Sequence, residues 1–518
     1  MVAAVLLRLP FLASPLGIDE GGYAYVAANW NVGDGGIYGE QWVDRPPLLI
    51  ALYAIAIAAA GDVGVRLLGC VAAALIVVAS AGVAHRVAGR TAMAWSAVAA
   101  VVLSSSTLWQ AHTVNAELPA AAFVAASVWT TVLALGARTW THAFVLAAGS
   151  GLLAGCALLV KQSFADGFVF AGAAVVGALV LERGARRRRV AAVLVGGVVG
   201  AGIVLATVAV WAEAVGPGFG PLIDALYGFR VQARTAIEQG DAPDQRAVLL
   251  LVLVTASGLL ALLAYTWIGL VRLARGDQSM RAGVDALLLR STAVGLAAVS
   301  VWGVFAVTQG GNWWRHYLVQ LVPVLAMGLG VVAGGVSDRA RSRVARGSTR
   351  AGVAVSVVAG LAWAVGAAWA ASGNVQRESA VAGDWLRAAS RPGDTIVVAW
   401  GHPNVLRRSG MRSPYGMAWS LPVRVRDPRL DELRGLVAGV DPPTWIVEWT
   451  PLDLWGLDHG GRVQDLVDQR YELVGDLCGR DVYRLSAGGS TTSSLPPSPS
   501  AKSCDPGAFE RAIDGLRW

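Results

Sequence analysis

A chain of 518 residues that is 55% hydrophobic and only 15% charged, with a mean hydropathy of +0.54, lies outside the soluble globular class, where about a quarter of residues are charged. It reads as a polytopic α-helical membrane protein. The formal charge of +7 does not call for nucleic acid as a partner, because the arginines fall in short runs between apolar segments, as cytoplasmic loops require. Four cysteines make no disulfide framework. Cys70 and Cys156 sit in apolar spans, whereas Cys478 and Cys504 sit in the polar C-terminal part, where a bridge is open if that part lies outside the cytoplasm.

A crossing needs about 20 apolar residues. Such segments occur at 1–15, 63–84, 91–108, 117–136, 143–160, 165–181, 190–212, 247–271, 291–308, 317–336 and 351–372, which predicts eleven membrane helices. The first is short, which leaves two readings open: a true start upstream, or a cleaved signal peptide. Against the second stand the poor cleavage site LASPLG and the missing charged n-region. Residues 47–60 (PLLIALYAIAIAAA) are apolar but short and follow Pro46, so an interfacial or re-entrant helix in the first exoplasmic loop fits better than a crossing.

With the N-terminus cytoplasmic, the loops on that side carry 17 arginines and lysines in 53 residues, and those on the other side 6 in 103. The positive-inside rule therefore predicts a multi-pass plasma-membrane protein with a cytoplasmic N-terminus and an extracytoplasmic C-terminal part. Residues 1–372 form the transmembrane unit. Residues 373–486 read as a small soluble α/β domain: TIVVAWG, TWIVEWT, YELVGDL and DVYRL are strand candidates, and DPRLDELRGLVAGV and GGRVQDLVDQRY have helical spacing. Residues 487–518 are a low-complexity linker and a short amphipathic tail.

This topology sorts the unusual polar residues. Asp19, Glu20, Asp44 and Arg45 of the first loop, WQAHTVNAELP at 109–119, KQSFAD at 161–166 and QGGNWWRHY at 309–317 all fall on the extracytoplasmic side. Acids, amides, lysine, histidine and arginine gathered at one membrane face point to a site there. Each has a plainer reading. Asp19 and Glu20 are carboxylates at a helix start, favoured by its dipole. Asn115, Glu117 and Pro119 resemble a helix entry. Trp313, Trp314 and Tyr317 fit an aromatic belt, with His316 merely among them. Lys161 is harder to set aside: only it and Lys502 are lysines among 42 basic residues, so a compact ammonium at a span end reads as a phosphate ligand, snorkelling towards headgroups being the alternative.

DEGGYAYVAANW followed by DRPPLLIALYAIA resembles the first exoplasmic loop of the GT-C glycosyltransferases, in the branch of the protein O-mannosyltransferases and lipid A aminoarabinose transferases. The matching residues are Asp19, Glu20, Tyr23, Pro46 and Pro47, and RHYLVQLVPVLA at 315–326 is similar to the family's His-Tyr-Leu segment. The resemblance covers about 1–372. It implies an inverting transfer of a sugar from a polyprenyl-phosphate donor to a hydroxyl of an acceptor glycan, lipid or protein at the outer face of a bacterial cell envelope, with membrane lipids around it. It implies Asp19 as general base with Glu20 beside it, Lys161, Arg315 and His316 as donor-phosphate ligands, and Tyr23, Asp44, Glu117 and Tyr317 as substrate-lining residues. An acid like Glu20 helps hold a divalent cation (Mg or Mn) in some relatives, but no compact metal-ligand spacing occurs here and no metal is assigned. The segment beyond 372 is not required by that chemistry and reads as acceptor recognition or partner docking.

A flippase of lipid-linked intermediates and a non-catalytic assembly protein are the competing readings. Internal two-half symmetry, which would favour the flippase, is absent from the sequence. VGGVVGAGIVL at 195–205 looks like a nucleotide fingerprint but lies inside a span, where small residues let helices pack closely, so it is given no cofactor.

Overall fold

The computed structural model of the protein describes residues 1–30, 36–181, 187–239, 243–276, 285–335, 338–486 and 495–505, with the side chains of 243 and 338–349 outside that description. Among the described residues, seven helices are long and apolar enough to cross a membrane: Pro47–Ser105, Glu117–Leu135, Trp140–Val160, Arg187–Ala214, Ala286–Thr308, Arg315–Gly335 and Arg350–Ala371. The pair Asp244–Ala256 and Leu259–Arg275, bent by 69° at left-handed Gly258, makes an eighth if it is one span.

The expected eleven is not reached by length and composition. Val2–Phe11 and Asp166–Leu181, at the first and sixth expected spans, are too short. The 59-residue helix Pro47–Ser105 would be about 90 Å long if straight, several times what a bilayer needs. It is not straight. Non-helical angles at Ala60, Gly61 and Gly89 divide it into residues 47–59, 62–88 and 90–105. A Cβ on Gly64 would lie 1.8 Å from the Ala56 carbonyl oxygen, so the chain doubles back against itself at the first break. The short apolar stretch 47–60 is thus a helix of its own, as its length and the preceding proline suggest.

Small residues set the tightest contacts inside the bundle. Trp140–Val160 and Arg187–Ala214 touch at their backbones: a Cβ on Gly200 would sit 1.9 Å from the Ala148 oxygen, and one on Gly151 would sit 2.0 Å from the Gly197 oxygen. The glycine-rich run at 195–205 therefore serves close helix packing.

The C-terminal part carries one four-stranded sheet, β1 (Ile396–Ala399), β2 (Trp445–Glu448), β3 (Tyr471–Asp476) and β4 (Asp481–Leu485), in the order β1-β2-β4-β3. β1 and β2 run parallel, and the other pairs are antiparallel. Alternation along the strands fills two cores. Ile396, Val398, Trp445 and Val447 pack with Trp385 and Leu386, whereas Val397, Ala399 and Ile446 pack with Leu433, Val437, Val463 and Val467. The last four come from helices Asp431–Ala438 and Arg462–Arg470, both expected from their spacing. The β3–β4 hairpin turns through Cys478 and Gly479, both at positive φ as a tight two-residue turn demands. Cys478 is bridged to Cys504, tying segment 495–505 back to this turn. Most of the amphipathic tail expected at the C-terminus lies outside the described residues.

Candidate functional site

Helix Ile18–Ala28 begins with Gly17, and Glu20 at its third position accepts the Gly17 N–H at 2.8 Å. This is half of a capping box, and it gives Glu20 a structural part. Its other oxygen accepts from Arg66 Nη1 and from the Val114 N–H at 2.6 Å. Glu20 is fully buried, and both of its oxygens are engaged. Arg66, whose Nη2 also donates to the Pro15 carbonyl at 2.7 Å, anchors the first loop to span 62–88.

Asp19, one residue earlier, has a different environment. It is half-buried and lines a cavity of about 530 Å³. Its Oδ1 accepts from the Trp419 indole N–H at 3.1 Å, and its Oδ2 accepts no hydrogen bond among the described residues. Tyr23, one helical turn on, lines the same cavity and accepts from Arg45 Nε at 2.9 Å.

Asp44 is held by two guanidiniums, Arg45 at 2.7 Å and Arg230 at 2.5 Å. Burial works against its charge, yet Arg230 and then Arg45 outweigh burial and keep the carboxyl below its usual range. His112, also on the wall, is pushed well down by burial and by the nearby Arg66, Arg8 and Arg315, so it is neutral. Its segment is pinned by Arg8, which donates to the carbonyls of Ser104, Ala111 and His112.

Arg315, His316 and Tyr317 line the cavity as well. Lys161 and Glu117 do not. They form a buried ion pair, with the ammonium 4.2 Å from the Tyr317 ring centroid and His316 Nε2 3.6 Å from the same Glu117 oxygen. The lysine that the sequence singled out for a phosphate is therefore neutralised by a carboxylate, and Glu117 is that counter-ion and not a wall residue.

Six arginines, at 45, 66, 230, 246, 315 and 424, face this cavity against three acids, Asp19, Glu20 and Asp44. Such a wall suits a negatively charged ligand, and Asp19 supplies a carboxylate able to take a proton. The acids do not fit a divalent cation: Glu20 and Asp44 are matched by arginines, and among the described residues no three His, Cys, Asp or Glu side chains gather.

Arg66, Arg230, Arg246, Arg424 and Trp419 were not singled out from the sequence. Arg66 had a signal, being an arginine inside an apolar span. Arg230 and Arg246 had one too, as two of the six cations on the sparsely charged side. Trp419 and Arg424 had none, since nothing local ties residues so far along the chain to the first loop.

No family model matches the chain, and no curated protein matches it. Solved structures do. ArnT from Cupriavidus metallidurans bound to undecaprenyl phosphate superposes with a TM-score of 0.61 at 16% identity, over 96% of this chain and 98% of that one. The same protein in the apo state gives 0.55 at 14% identity, over 93% and 96%. The Archaeoglobus fulgidus oligosaccharyltransferase in the apo form gives 0.56 at 12% identity, over 88% of this chain and 69% of that one. The chain thus shares the fold of these solved structures, built here from apolar membrane-length helices and a C-terminal sheet.

Proposed function

We propose that this protein is an inverting glycosyltransferase that moves a sugar from a polyprenyl-phosphate donor to an acceptor hydroxyl at the extracytoplasmic face of the plasma membrane. The observation that carries this reading is the pairing, in one cavity, of Asp19, with its Oδ2 left open among the described residues, and a wall of arginines that includes Arg230, Arg246 and Arg315. The fold is shared with an ArnT structure that holds undecaprenyl phosphate, which supports the donor class. The excess of cations on the opposite loops supports the side.

Asp19 takes the proton of the acceptor hydroxyl as that oxygen attacks the anomeric carbon. The bond from that carbon to the phosphate oxygen breaks, the phosphate departs with the electron pair, and the configuration inverts because attack and departure occur on opposite faces. Arg315 and His316 meet the developing negative charge, with Arg230 and Arg246 nearby. Lys161 acts from behind Tyr317, holding Glu117 and the aromatic ring in place. Glu20 is a positioning residue, fixing the helix that presents Asp19. Tyr23, Asp44 and Tyr317 shape the wall. No step is routed through a metal.

Asp19→Asn tests this against a flippase or a scaffold. The purified full-length variant, offered a panel of polyprenyl-phosphate sugars and an envelope extract, should lose transfer while retaining undecaprenyl-phosphate binding. Full-rate transfer by Asp19→Asn, or labelling that puts residue 19 in the cytoplasm, overturns the reading.

A further inference from the structure

The C-terminal part does not merely lie beside the cavity. Trp419 reaches into the first turn of helix Ile18–Ala28, donating its indole N–H to Asp19 Oδ1 at 3.1 Å and packing its ring against Tyr23 at 5.8 Å. Two glycines directly follow the acidic pair, and neither has a positive φ, so backbone freedom is not their use. Space is. A Cβ on Gly22 would lie 2.2 Å from the Trp419 ring and 2.7 Å from Pro403, and one on Gly21 would lie 2.4 Å from Asn404 Cβ.

The same surface is fastened at its edges. The Ser413 N–H donates to the Tyr25 hydroxyl at 2.7 Å, and Gln41 Nε2 donates to the Ser413 carbonyl at 3.0 Å. The Trp42 N–H donates to the Gly416 carbonyl at 2.8 Å. Tyr25 itself belongs to the core that covers one face of the sheet.

We infer that Trp419 is a positioning residue for Asp19, so that the C-terminal part completes the reacting centre instead of serving only recognition or docking. This rests on the assignment of Asp19 as the general base. The chemistry of the donor explains the choice. An indole offers one uncharged N–H and accepts nothing, so it occupies one carboxylate oxygen and leaves the other for the proton. A guanidinium in that place would neutralise the base, as Arg66 does Glu20. Replacing a short-range neutral donor with nothing lets the carboxylate rotate out of line.

Asp19 is also faced by Tyr23 of its own helix, Arg45 of the first loop, Tyr53 of the next helix and His316 and Tyr317 of the late loop. None of these changes in Trp419→Phe, which keeps an aromatic ring and deletes the N–H. In the full-length enzyme, Trp419→Phe should lower kcat about tenfold with KM for the polyprenyl-phosphate donor unchanged. That split, kcat lowered with KM held, is a readout that a merely structural role would not give. A wild-type kcat in Trp419→Phe, with Asp19→Asn inactive, overturns this inference and leaves the general base standing. Transfer by Asp19→Asn overturns both. If Trp419→Phe aggregates, Gly22→Ala carries the same two readouts, because its methyl displaces the ring, and unchanged values there overturn the inference equally.

Discussion

The Lys161 ammonium is paired with the Glu117 carboxylate and lies 4.2 Å from the centroid of the Tyr317 ring. Glu117 is buried, at 4% exposed, and Lys161 is largely shielded, at 12%, so each depends on the other for its charge. Removing one partner strands the second. Lys161→Met or Glu117→Gln alone should cost about 3–5 kcal/mol, and the double replacement Lys161→Met with Glu117→Leu should recover most of it. Denaturation midpoints in detergent measure this, and a double variant as damaged as the singles would show the pair is not the source.

Cavity arginines should govern donor affinity. Arg315→Met should weaken undecaprenyl-phosphate binding by about tenfold to a hundredfold, the worth of a charge-assisted hydrogen bond. Arg234, on helix Phe229–Glu238, pairs with Glu238 at the surface and is absent from the cavity wall. Arg234→Met should therefore bind the lipid as wild type does. Lipid-induced thermal shifts compare the two, and equal losses would point to general surface charge.

The close approach of two spans separates glycines that look alike in sequence. Gly200→Ala should destabilise by about 1–3 kcal/mol because its methyl meets the Ala148 backbone. A methyl on Gly202, two residues on, would have no neighbour within 4 Å, so Gly202→Ala should be neutral or slightly stabilising. Thermal unfolding of the two variants gives the comparison, and equal midpoints would remove the packing role of Gly200.

The Cys478–Cys504 bridge closes a loop across 26 residues of separation. Chain entropy assigns it about 3.5 kcal/mol. The double Cys→Ser variant should lower the unfolding midpoint of the C-terminal part, and non-reducing peptide mapping should recover the linked pair from the wild type. Two free thiols in that map would refute the bridge.

His402 stacks on Trp449 at 4.7 Å, and burial, with the nearby Arg480, lowers its pKa to about 3. In the unfolded chain an imidazole titrates near about 6.5. Between those values the unfolded state binds the extra proton, so stability is full above about pH 6.5 and is lost as pH falls towards about 3. His402→Gln should flatten that dependence in a pH series of unfolding midpoints, and an unchanged slope would assign it to other groups.

Membrane class, the four strands, the two amphipathic helices of the C-terminal part and the separate helix at 47–60 were legible in the chain, because hydropathy and side-chain period are local properties that a window of residues carries whole. The number of crossings was less so: an apolar run does not say whether Asp166–Leu181 is long enough once helical. Charge pairing was not legible at all. Asp19 and Glu20 are neighbours with the same chemistry, yet one lies against an indole 400 positions away and the other against an arginine 46 positions away. Only tertiary structure decides such partners, because an ion or a hydrogen-bonding group is defined by what surrounds it within a few ångströms. Sequence order determines the types of residue present and the elements they build, while the packing of those elements determines which carboxylate is enclosed by donors and which lines the cavity.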